Sequence, residues 1–256
     1  MHGHSNTPRD PLFDIHDKVY LIAGACGGLA TPLLDEISAR GAKMAFYDIN
    51  EIGLKELQSK FPDALIFAGS IDCEASITAC IVKVIEKFGV LDGMINAAGV
   101  LPICDSLSID YGLFKTCLDV NLNGAFLLSR CVARSMQERG GRIIHIASVS
   151  SNVANIDYAA YASSKAALSQ LVRVLAREWA TKNILVNAIG PALTETKLTR
   201  EYLSDQHFRQ NAIDAIPMQR LGLPSDLFGP IIMLMSKAGA FITGQTIYVD
   251  GGRTTV

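Results

Sequence analysis

The sequence predicts a single α/β domain built on a doubly wound parallel sheet. Short apolar runs recur along the chain, each too short for a helix and bounded by Gly, Asp or Asn, and segments with helical spacing separate them. This strand–helix alternation repeats six times, and no Pro/Ser-rich linker, charge block or internal repeat interrupts the 256 residues. We therefore expect one domain over residues 13–256, preceded by a flexible tail over residues 1–12.

Seven apolar or β-branched runs are expected to form a mostly seven-stranded parallel sheet, because strands covered on both faces need apolar side chains throughout. They cover residues 18–23, 43–47, 64–68, 91–96, 142–147, 184–188 and 246–249. Helical patterns cover about residues 28–40, 49–60, 73–88, 114–139, 161–179 and 225–237. Pro230 removes a hydrogen bond from the last helix, which should therefore be kinked or begin later. The two long connections, residues 97–110 and 189–224, are expected to carry function.

Composition and charge exclude several functional classes. With 23 basic and 25 acidic residues the net charge is −2, so no global positive field attracts nucleic acid or an anionic membrane. The apolar runs end well short of the roughly 20 residues of a membrane span, and residues 1–18 lack the apolar core of a secretory signal. The six cysteines are scattered without a Cys-x-x-Cys pair, which indicates reduced core thiols of a cytoplasmic protein. The five histidines show no metal-ligand spacing, so no metal is expected.

A Gly-rich turn follows the first predicted strand, in the order Ala23-Gly24-Ala25-Cys26-Gly27-Gly28-Leu29. Glycines permit a tight strand-to-helix turn and let a pyrophosphate approach backbone N–H groups at the helix N-terminus. Taken alone, the loop can also be an ordinary turn. The second strand, however, ends at Asp48, 24 residues after Gly24, where an acid can accept hydrogen bonds from an adenosine ribose. Its charge repels a 2′-phosphate, and neither the loop nor the residues directly after Asp48 supply an Arg or Lys, so NAD is favoured over NADP.

Tyr161 and Lys165 lie one turn apart on the same face of the strongest amphipathic helix. A lysine ammonium beside a phenol favours the phenolate, so we expect the pKa of Tyr161 to be lowered and its hydroxyl to act as a general acid or base. Ser148 follows the fifth strand, where its hydroxyl can hold a substrate oxygen. Taken singly, Tyr161 can also be a half-buried helix residue and Ser148 a turn cap.

Together these features resemble the short-chain dehydrogenase/reductase family over nearly the whole chain from about residue 13. The Gly-rich turn is similar to the family's Thr-Gly-x-x-x-Gly-x-Gly, and Asn96-Ala97-Ala98-Gly99 is similar to Asn-Asn-Ala-Gly. Asp72 resembles the acid that contacts the adenine amino group, and Asn121 the asparagine of the catalytic tetrad. The segment from Pro191 to Thr196 resembles the one that closes over the nicotinamide. The resemblance implies a Rossmann-like three-layer fold.

The resemblance also implies a division of labour in which the nicotinamide carries the hydride and the protein orients the substrate and transfers the proton. Ser148 would hold the substrate oxygen, Tyr161 would pass its proton, and Lys165 would lower the phenol pKa and bind the nicotinamide ribose. Asn121 would anchor a water that joins Lys165 to solvent. The implied NAD contacts are Gly24, Cys26, Gly27, Gly28, Leu29, Asp48, Ile49, Ser70, Ile71, Asp72, Asn96, Ala97, Ala98, Gly99, Tyr161, Lys165, Pro191, Ala192, Leu193, Thr194 and Thr196.

The sequence departs from the family pattern at four positions. Ala23 replaces a Thr whose hydroxyl ties the first turn to the loop near residue 97, and Ala30 replaces the third Gly. Ala97 replaces the second Asn, and Ala192 the usual Gly after Pro191. Gly24 and Gly28 remain, so cofactor binding should survive with a slightly different loop, and none of these changes touches the tetrad.

The substrate pocket is expected at the carboxyl ends of the strands. Its candidate substrate contacts are Ser148, Val149, Ser150, Asp157, Tyr158, Arg200 and Arg209, with the two arginines as candidates for a carboxylate. This mixed lining suits a small polar molecule better than a long acyl chain. Short matches, including Glu178-Trp179-Ala180, are similar to members such as gluconate 5-dehydrogenases that oxidise sugar acids and polyols.

The sequence thus predicts an NAD-dependent oxidoreductase that interconverts a secondary alcohol and a ketone on a sugar, sugar acid or cyclic polyol. The alternatives are a 3-oxoacyl thioester or steroid-like ketone reductase of the same family, and a non-catalytic NAD-binding regulatory protein, which the intact tetrad disfavours. From the family we also expect a homotetramer, or a homodimer.

Overall fold

Seven parallel strands form one sheet in the order β3-β2-β1-β4-β5-β6-β7 in the computed structural model. The strands are β1 (Val19–Ala23), β2 (Lys43–Asp48), β3 (Leu65–Ala68), β4 (Gly93–Asn96), β5 (Gly141–Ile146), β6 (Ile184–Pro191) and β7 (Thr246–Val249). The structure describes residues 10–256, so residues 1–9 of the predicted tail lie outside it. Leu12, still within the predicted tail, accepts a 2.9 Å hydrogen bond from Ala238, so contact with the domain begins before residue 13.

Nine α-helices connect the strands in the described part of the chain. They are α1 (Ala30–Ala39), α2 (Glu51–Lys60), α3 (Glu74–Phe88), α4 (Tyr111–Leu118), α5 (Ala125–Met136), α6 (Ala159–Trp179), α7 (Arg200–Leu203), α8 (Gln206–Asp214) and α9 (Phe228–Met235). Six π-helical residues, Asp119–Gly124, join α4 to α5.

Helices cover both faces of the sheet, and alternate strand residues face opposite layers. In β1, Leu21 packs into the apolar cluster formed by α3, α5 and α6, whereas Tyr20 and Ile22 pack into the cluster formed by α1, α2 and α9. Both faces of the central strands are therefore buried, which explains their continuous apolar sequences. The predicted single-domain, doubly wound three-layer fold is confirmed.

The largest differences from the predicted elements lie in two regions. The pattern over residues 114–139 divides at the π-helical turn, and the long connection after β6 contains α7 and α8. Helix α8 has no buried residue, and Phe208 and Ile213 are its only large apolar side chains, so its sequence gives only a weak helical pattern. Helix α9 begins at Phe228, so Pro230 falls in its first turn, where a missing N–H breaks no intrahelical bond.

The six cysteines are all free thiols, but only Cys80, Cys117 and Cys131 are buried, and Cys73 is exposed. The prediction that the cysteines lie in the core is therefore wrong for Cys26, Cys73 and Cys104. Among residues 10–256, no helix combines the length and apolar character that crossing a membrane requires. The same residues contain no group of three or more His, Cys, Asp or Glu side chains arranged to hold a metal ion.

Candidate active site

A cavity of about 750 Å³ opens at the carboxyl edge of the sheet, beside β1 and β4. The order of the strands along the sheet switches direction between these two parallel central strands, and this is where doubly wound sheets bind their ligands. The cavity is lined by the turns that follow β1, β4, β5 and β6, in residues 26–29, 97–101, 147–150, 192–194 and 196–199. Side chains from α6, from α8 and from the C-terminal turn complete its wall.

The glycines of the first turn allow close approach of neighbouring backbone. Gly24 has a φ of +71°, and a Cβ there would lie 2.5 Å from the Ala98 nitrogen. A Cβ on Gly28 would lie 2.8 Å from the Cβ of Thr196, so the segment after β6 packs onto the turn. The Ala97 N–H donates to the Ala23 oxygen at 2.9 Å, so backbone atoms tie the first turn to the loop near residue 97 without the hydroxyl that Ala23 lacks.

Asp48 ends β2 and holds the same turn from the other side. Its Oδ2 accepts a 2.9 Å hydrogen bond from the Cys26 N–H, and its Oδ1 accepts one of the same length from the Asn50 N–H. Burial and the neighbouring Asp48 carboxylate raise the pKa of the Cys26 thiol to about 12. The Cys26 thiol therefore stays neutral, and Asp48 is the anionic group at this end of the turn.

Asn96 is fixed by a buried polar chain that the sequence analysis did not identify. Its Oδ1 accepts from the Ala98 N–H at 3.2 Å, and its Nδ2 lies 3.2 Å from Nδ1 of His145 on β5. Nε2 of His145 lies 2.9 Å from Oγ of Ser129, and that hydroxyl donates to the Ala125 oxygen. The neutral Nε2–H tautomer satisfies every partner, because Nδ1 then accepts from Asn96. A histidine inside an apolar strand was the available sequence signal.

Asn121 lies in the π-helical turn and connects three elements. It exchanges two 2.9 Å hydrogen bonds with the backbone of Val100, and its Nδ2 also donates to Oγ of Ser164 on α6 at 3.0 Å. A Cβ on Gly99 would lie 3.1 Å from Oδ1 of Asn121 and 3.6 Å from Nζ of Lys165. The turn after β4 therefore approaches both tetrad side chains closely.

Lys165 and Tyr161 project from α6 into the cavity. The Lys165 ammonium is buried, donates a 2.7 Å hydrogen bond to the Ile146 oxygen, and lies 5.7 Å from the centroid of the Tyr161 ring. Burial lowers the pKa of Lys165 to about 8. Burial raises the pKa of the Tyr161 phenol to about 12, and the hydrogen bond with Ser148 offsets only part of this rise.

The expectation that Lys165 lowers the Tyr161 pKa is therefore wrong for the structure as it stands. At this separation the lysine charge does not overcome the loss of water around the phenol.

Ser148 lies where β5 ends and is almost fully buried. Its Oγ accepts a 3.1 Å hydrogen bond from the Ser150 N–H, which caps the short turn Val149–Ser151. The capping interpretation and the catalytic one are thus compatible, because the hydroxyl also lines the cavity and reaches Tyr161.

The structure brings only part of the predicted substrate wall together. Ser148, Val149, Ser150 and Tyr158 line the cavity, whereas Asp157 is exposed and does not.

Neither predicted arginine reaches the cavity. Arg200 is exposed on α7, and Arg209 on α8 pairs with Glu195 at 3.2 Å. This segment was expected to be a loop, whereas α7 and α8 direct both side chains elsewhere. Asn155, Phe208 and Arg253 were not predicted as contacts, and they do line the cavity.

The predicted cofactor residues fall into two groups. Those that line the cavity are Cys26, Gly27, Gly28, Leu29, Ala97, Ala98, Gly99, Tyr161, Lys165, Pro191, Ala192, Leu193, Thr194 and Thr196. Gly24, Asp48, Ile49, Ser70, Ile71, Asp72 and Asn96 lie outside its lining, at or just after the carboxyl ends of β1, β2, β3 and β4. Both groups therefore belong to the same edge of the sheet.

The first turn has the features that a dinucleotide pyrophosphate requires. In the described chain, the Gly28 and Leu29 amides donate no hydrogen bond to protein acceptors, and both lie at the N-terminus of α1. Free amides at a helix N-terminus are suited to a phosphate group. The residues present thus fit a nicotinamide dinucleotide.

Comparison with known proteins places this arrangement among oxidoreductases. The family model described as enoyl-(acyl carrier protein) reductase matches residues 24–254. A 2-dehydro-3-deoxy-D-gluconate 5-dehydrogenase of Dickeya dadantii is 33% identical over 246 residues, which are 94% of this chain and 96% of that protein. An NAD-dependent glycerol dehydrogenase of Listeria innocua is 30% identical over 248 residues, which are 96% of this chain and 97% of that protein.

A solved structure with the same fold is similar over almost the full length. It is a gluconate 5-dehydrogenase from Burkholderia cenocepacia in complex with NADP and tartrate, with 30% sequence identity and a TM-score of 0.92. The match covers 96% of this chain and 98% of that one.

Proposed function

Because the chain belongs to the short-chain dehydrogenase/reductase family of oxidoreductases, we propose that it interconverts a secondary alcohol and a ketone on a sugar, sugar acid or cyclic polyol, with NAD as cofactor. The observation that carries this proposal is a single cavity in which Ser148, Tyr161 and Lys165 meet the Gly-rich turn. Asn121 fixes the backbone of Val100 in the same wall.

Proton transfer is the part of the reaction assigned to this chain. A bound nicotinamide supplies the hydride acceptor or donor. Ser148 orients the substrate oxygen, and the Tyr161 hydroxyl exchanges the proton of that oxygen. Because burial keeps the phenol protonated, Tyr161 is set to act as an acid toward a ketone. In the oxidising direction, the positive charge of Lys165 favours the phenolate that must accept the proton.

The cofactor preference rests on Asp48. The carboxylate is held in place by the Cys26 and Asn50 amides, and a 2′-phosphate beside it would bring two negative charges together. The relatives differ in this respect, since the glycerol dehydrogenase is NAD-dependent and the gluconate 5-dehydrogenase is bound to NADP. Asp48 is the local reason to assign NAD to this chain.

The substrate class follows from the relatives and from the cavity wall. Relatives named for gluconate derivatives and glycerol act on small polyhydroxylated molecules, and Ser150, Asn155 and Arg253 add polar groups beside Ser148. Apolar residues such as Leu101, Phe208 and Ile216 also line the cavity, so a 3-oxoacyl thioester or steroid-like ketone is the second candidate.

We also propose a cytoplasmic homotetramer, or a homodimer. The edge strand β7 is only half-buried, and Phe126 on α5 and Val174 on α6 are exposed. Such surfaces suit pairing with a second copy of the chain. Static light scattering at micromolar concentration should give two or four copies, and a monomer would contradict the proposal.

The decisive experiment is a substrate panel read by nicotinamide absorbance. Sugar acids, polyols and cyclic polyols should be oxidised with NAD, while 3-oxoacyl thioesters and steroid-like ketones should show little reduction. Activity confined to the thioesters or steroid-like ketones would support the second candidate. Binding of NAD with no turnover in the whole panel would favour a regulatory protein instead.

A further inference from the structure

The cavity wall is strongly cationic. Lys165, Lys197 and Arg253 line it, and no Asp or Glu is among the residues of its lining in the described chain. Two of the three cations have evident places, since Lys165 lies beside Tyr161, and the positive charge of Lys197 acts on the Cys26 thiol of the Gly-rich turn. Arg253 belongs neither to the tetrad nor to the Gly-rich turn.

A fixed C-terminal turn presents Arg253 to the cavity. Asp250, directly after β7, accepts hydrogen bonds from the Gly252 N–H at 3.0 Å and from the Thr254 N–H and hydroxyl at 2.8 and 2.7 Å. The Asp250 oxygens therefore hold the backbone on both sides of Arg253. They form no ion pair with its guanidinium.

Hydrogen bonds connect Arg253 to the catalytic end of the cavity. Its Nη2 donates to Oδ1 of Asn155 at 3.3 Å, and Nδ2 of Asn155 donates to Oγ of Ser150 at 3.2 Å. The Ser150 N–H in turn donates to Oγ of Ser148 at 3.1 Å. The guanidinium therefore lies on the same wall as the hydroxyl that orients the reacting oxygen.

The charge of Arg253 lacks a partner in the described chain. Of its five N–H donors, only the one that meets Asn155 is used among residues 10–256, and the side chain is partly buried. A planar guanidinium with free donors matches a carboxylate, which it binds through two parallel hydrogen bonds. A hydroxyl group supplies neither the negative charge nor the second acceptor atom.

We propose that Arg253 binds a carboxylate of the substrate, so that the cavity selects short hydroxy acids over uncharged polyols. This inference rests on the proposed function, because it concerns the substrate of the same cavity. It assigns to the C-terminal turn the role that the sequence analysis gave to Arg200 and Arg209.

The test compares two ligands that differ at one terminal group. D-Gluconate ends in a carboxylate where D-sorbitol carries a CH₂OH group, and calorimetry in the presence of NADH measures the binding of each without turnover. The variants are Arg253→Met, which removes the charge, and Arg253→Lys, which keeps the charge without the planar fork. Arg209→Met is the matched control, because Arg209 lies outside the cavity lining. Thermal unfolding checks that every variant is folded.

We expect the wild-type protein to bind gluconate at least about tenfold more tightly than sorbitol. Arg253→Met should weaken gluconate binding about 10- to 100-fold and leave sorbitol binding nearly unchanged. The gluconate affinity of Arg253→Lys should lie between those of the wild-type protein and Arg253→Met. Arg209→Met should change neither. A preference for gluconate that survives Arg253→Met, or equal binding of both ligands by the wild-type protein, would overturn the inference. If Arg253 confers the preference but neither ligand is oxidised with NAD, the carboxylate site stands and the proposed function fails.

Discussion

The Cys26 amide donates a 2.9 Å hydrogen bond to Oδ2 of Asp48, which joins the Gly-rich turn directly to the end of β2. This bond keeps the carboxylate at the mouth of the turn. It makes Asp48 both a structural support of the turn and the source of negative charge there.

Replacement of Asp48 by Ser together with Ile49 by Arg should shift the preference from NAD toward NADP. The change removes a negative charge and places a guanidinium at position 49, where the side chain is 73% exposed and free to meet a phosphate. We expect at least a tenfold shift, or roughly 1.4 kcal/mol, in the ratio of kcat/KM values. Ile49→Arg alone is the control and should still favour NAD. Equal use of both cofactors by the wild-type protein would contradict the assignment.

Tyr161→Phe should lower turnover by about 10²- to 10⁴-fold, because only the proton-carrying hydroxyl is lost. NADH binding, followed by fluorescence, should be largely kept. Tyr158→Phe is a suitable control, since the Tyr158 ring also lines the cavity and packs edge-on against Tyr161 with 5.9 Å between centroids. If Tyr161→Phe kept more than about a tenth of the activity, Tyr161 would not be the proton carrier.

Gly24→Ala should destabilise the protein more than Gly89→Ala does. Both glycines have φ near +75°, so both substitutions impose left-handed strain of about 1–2 kcal/mol. A Cβ on Gly89 meets no atom within 4 Å, whereas one on Gly24 meets the Ala98 backbone. Denaturant unfolding should show an additional loss of about 1–3 kcal/mol for Gly24→Ala. Gly24→Ala should also weaken NADH binding. Equal losses of unfolding free energy for Gly24→Ala and Gly89→Ala would contradict the close packing of the turn.

His145 should make the protein less stable as the pH falls. Burial lowers its pKa to about 3, whereas a histidine in the unfolded chain titrates near 6.5. Between these values the unfolded chain binds the extra proton. The contribution of His145 to the unfolding free energy should therefore fall by about 1.4 kcal/mol per pH unit as the pH drops below about 6.5. Denaturant unfolding from pH 7 to pH 4 should show a shallower slope for His145→Asn than for the wild-type protein. Parallel slopes for His145→Asn and the wild-type protein would refute the prediction.

The sequence was sufficient to predict an element where the local apolar pattern agrees with the burial of its residues. Strand β1, buried throughout, and the apolar stripe of α6 were both visible, and the spacing of Tyr161 and Lys165 placed them on one helix face. Long-range contacts were not accessible in this way. The sequence could not show that Asn155 and Arg253, 98 residues apart, meet at the cavity, or that α7 and α8 turn Arg200 and Arg209 away from it. The pKa of Tyr161 also depends on how many atoms surround it, which spacing along a helix does not report.

The π-helical turn Asp119–Gly124 has a consequence for how the chain tolerates insertions and deletions. A π-helical turn accommodates one more residue than an α-helical turn. Deletion of Val120 would leave an α-helical turn, which spans the same angle with one residue fewer, so the buried stripe of α5, which includes Leu128 and Val132, would keep its phase with the sheet. Asn121 would then take the place of Val120 and lose its contacts with Val100. The extra residue thus positions Asn121 without setting the packing of α5, and a chain shortened at Val120 would lose the Asn121 contacts while keeping its core.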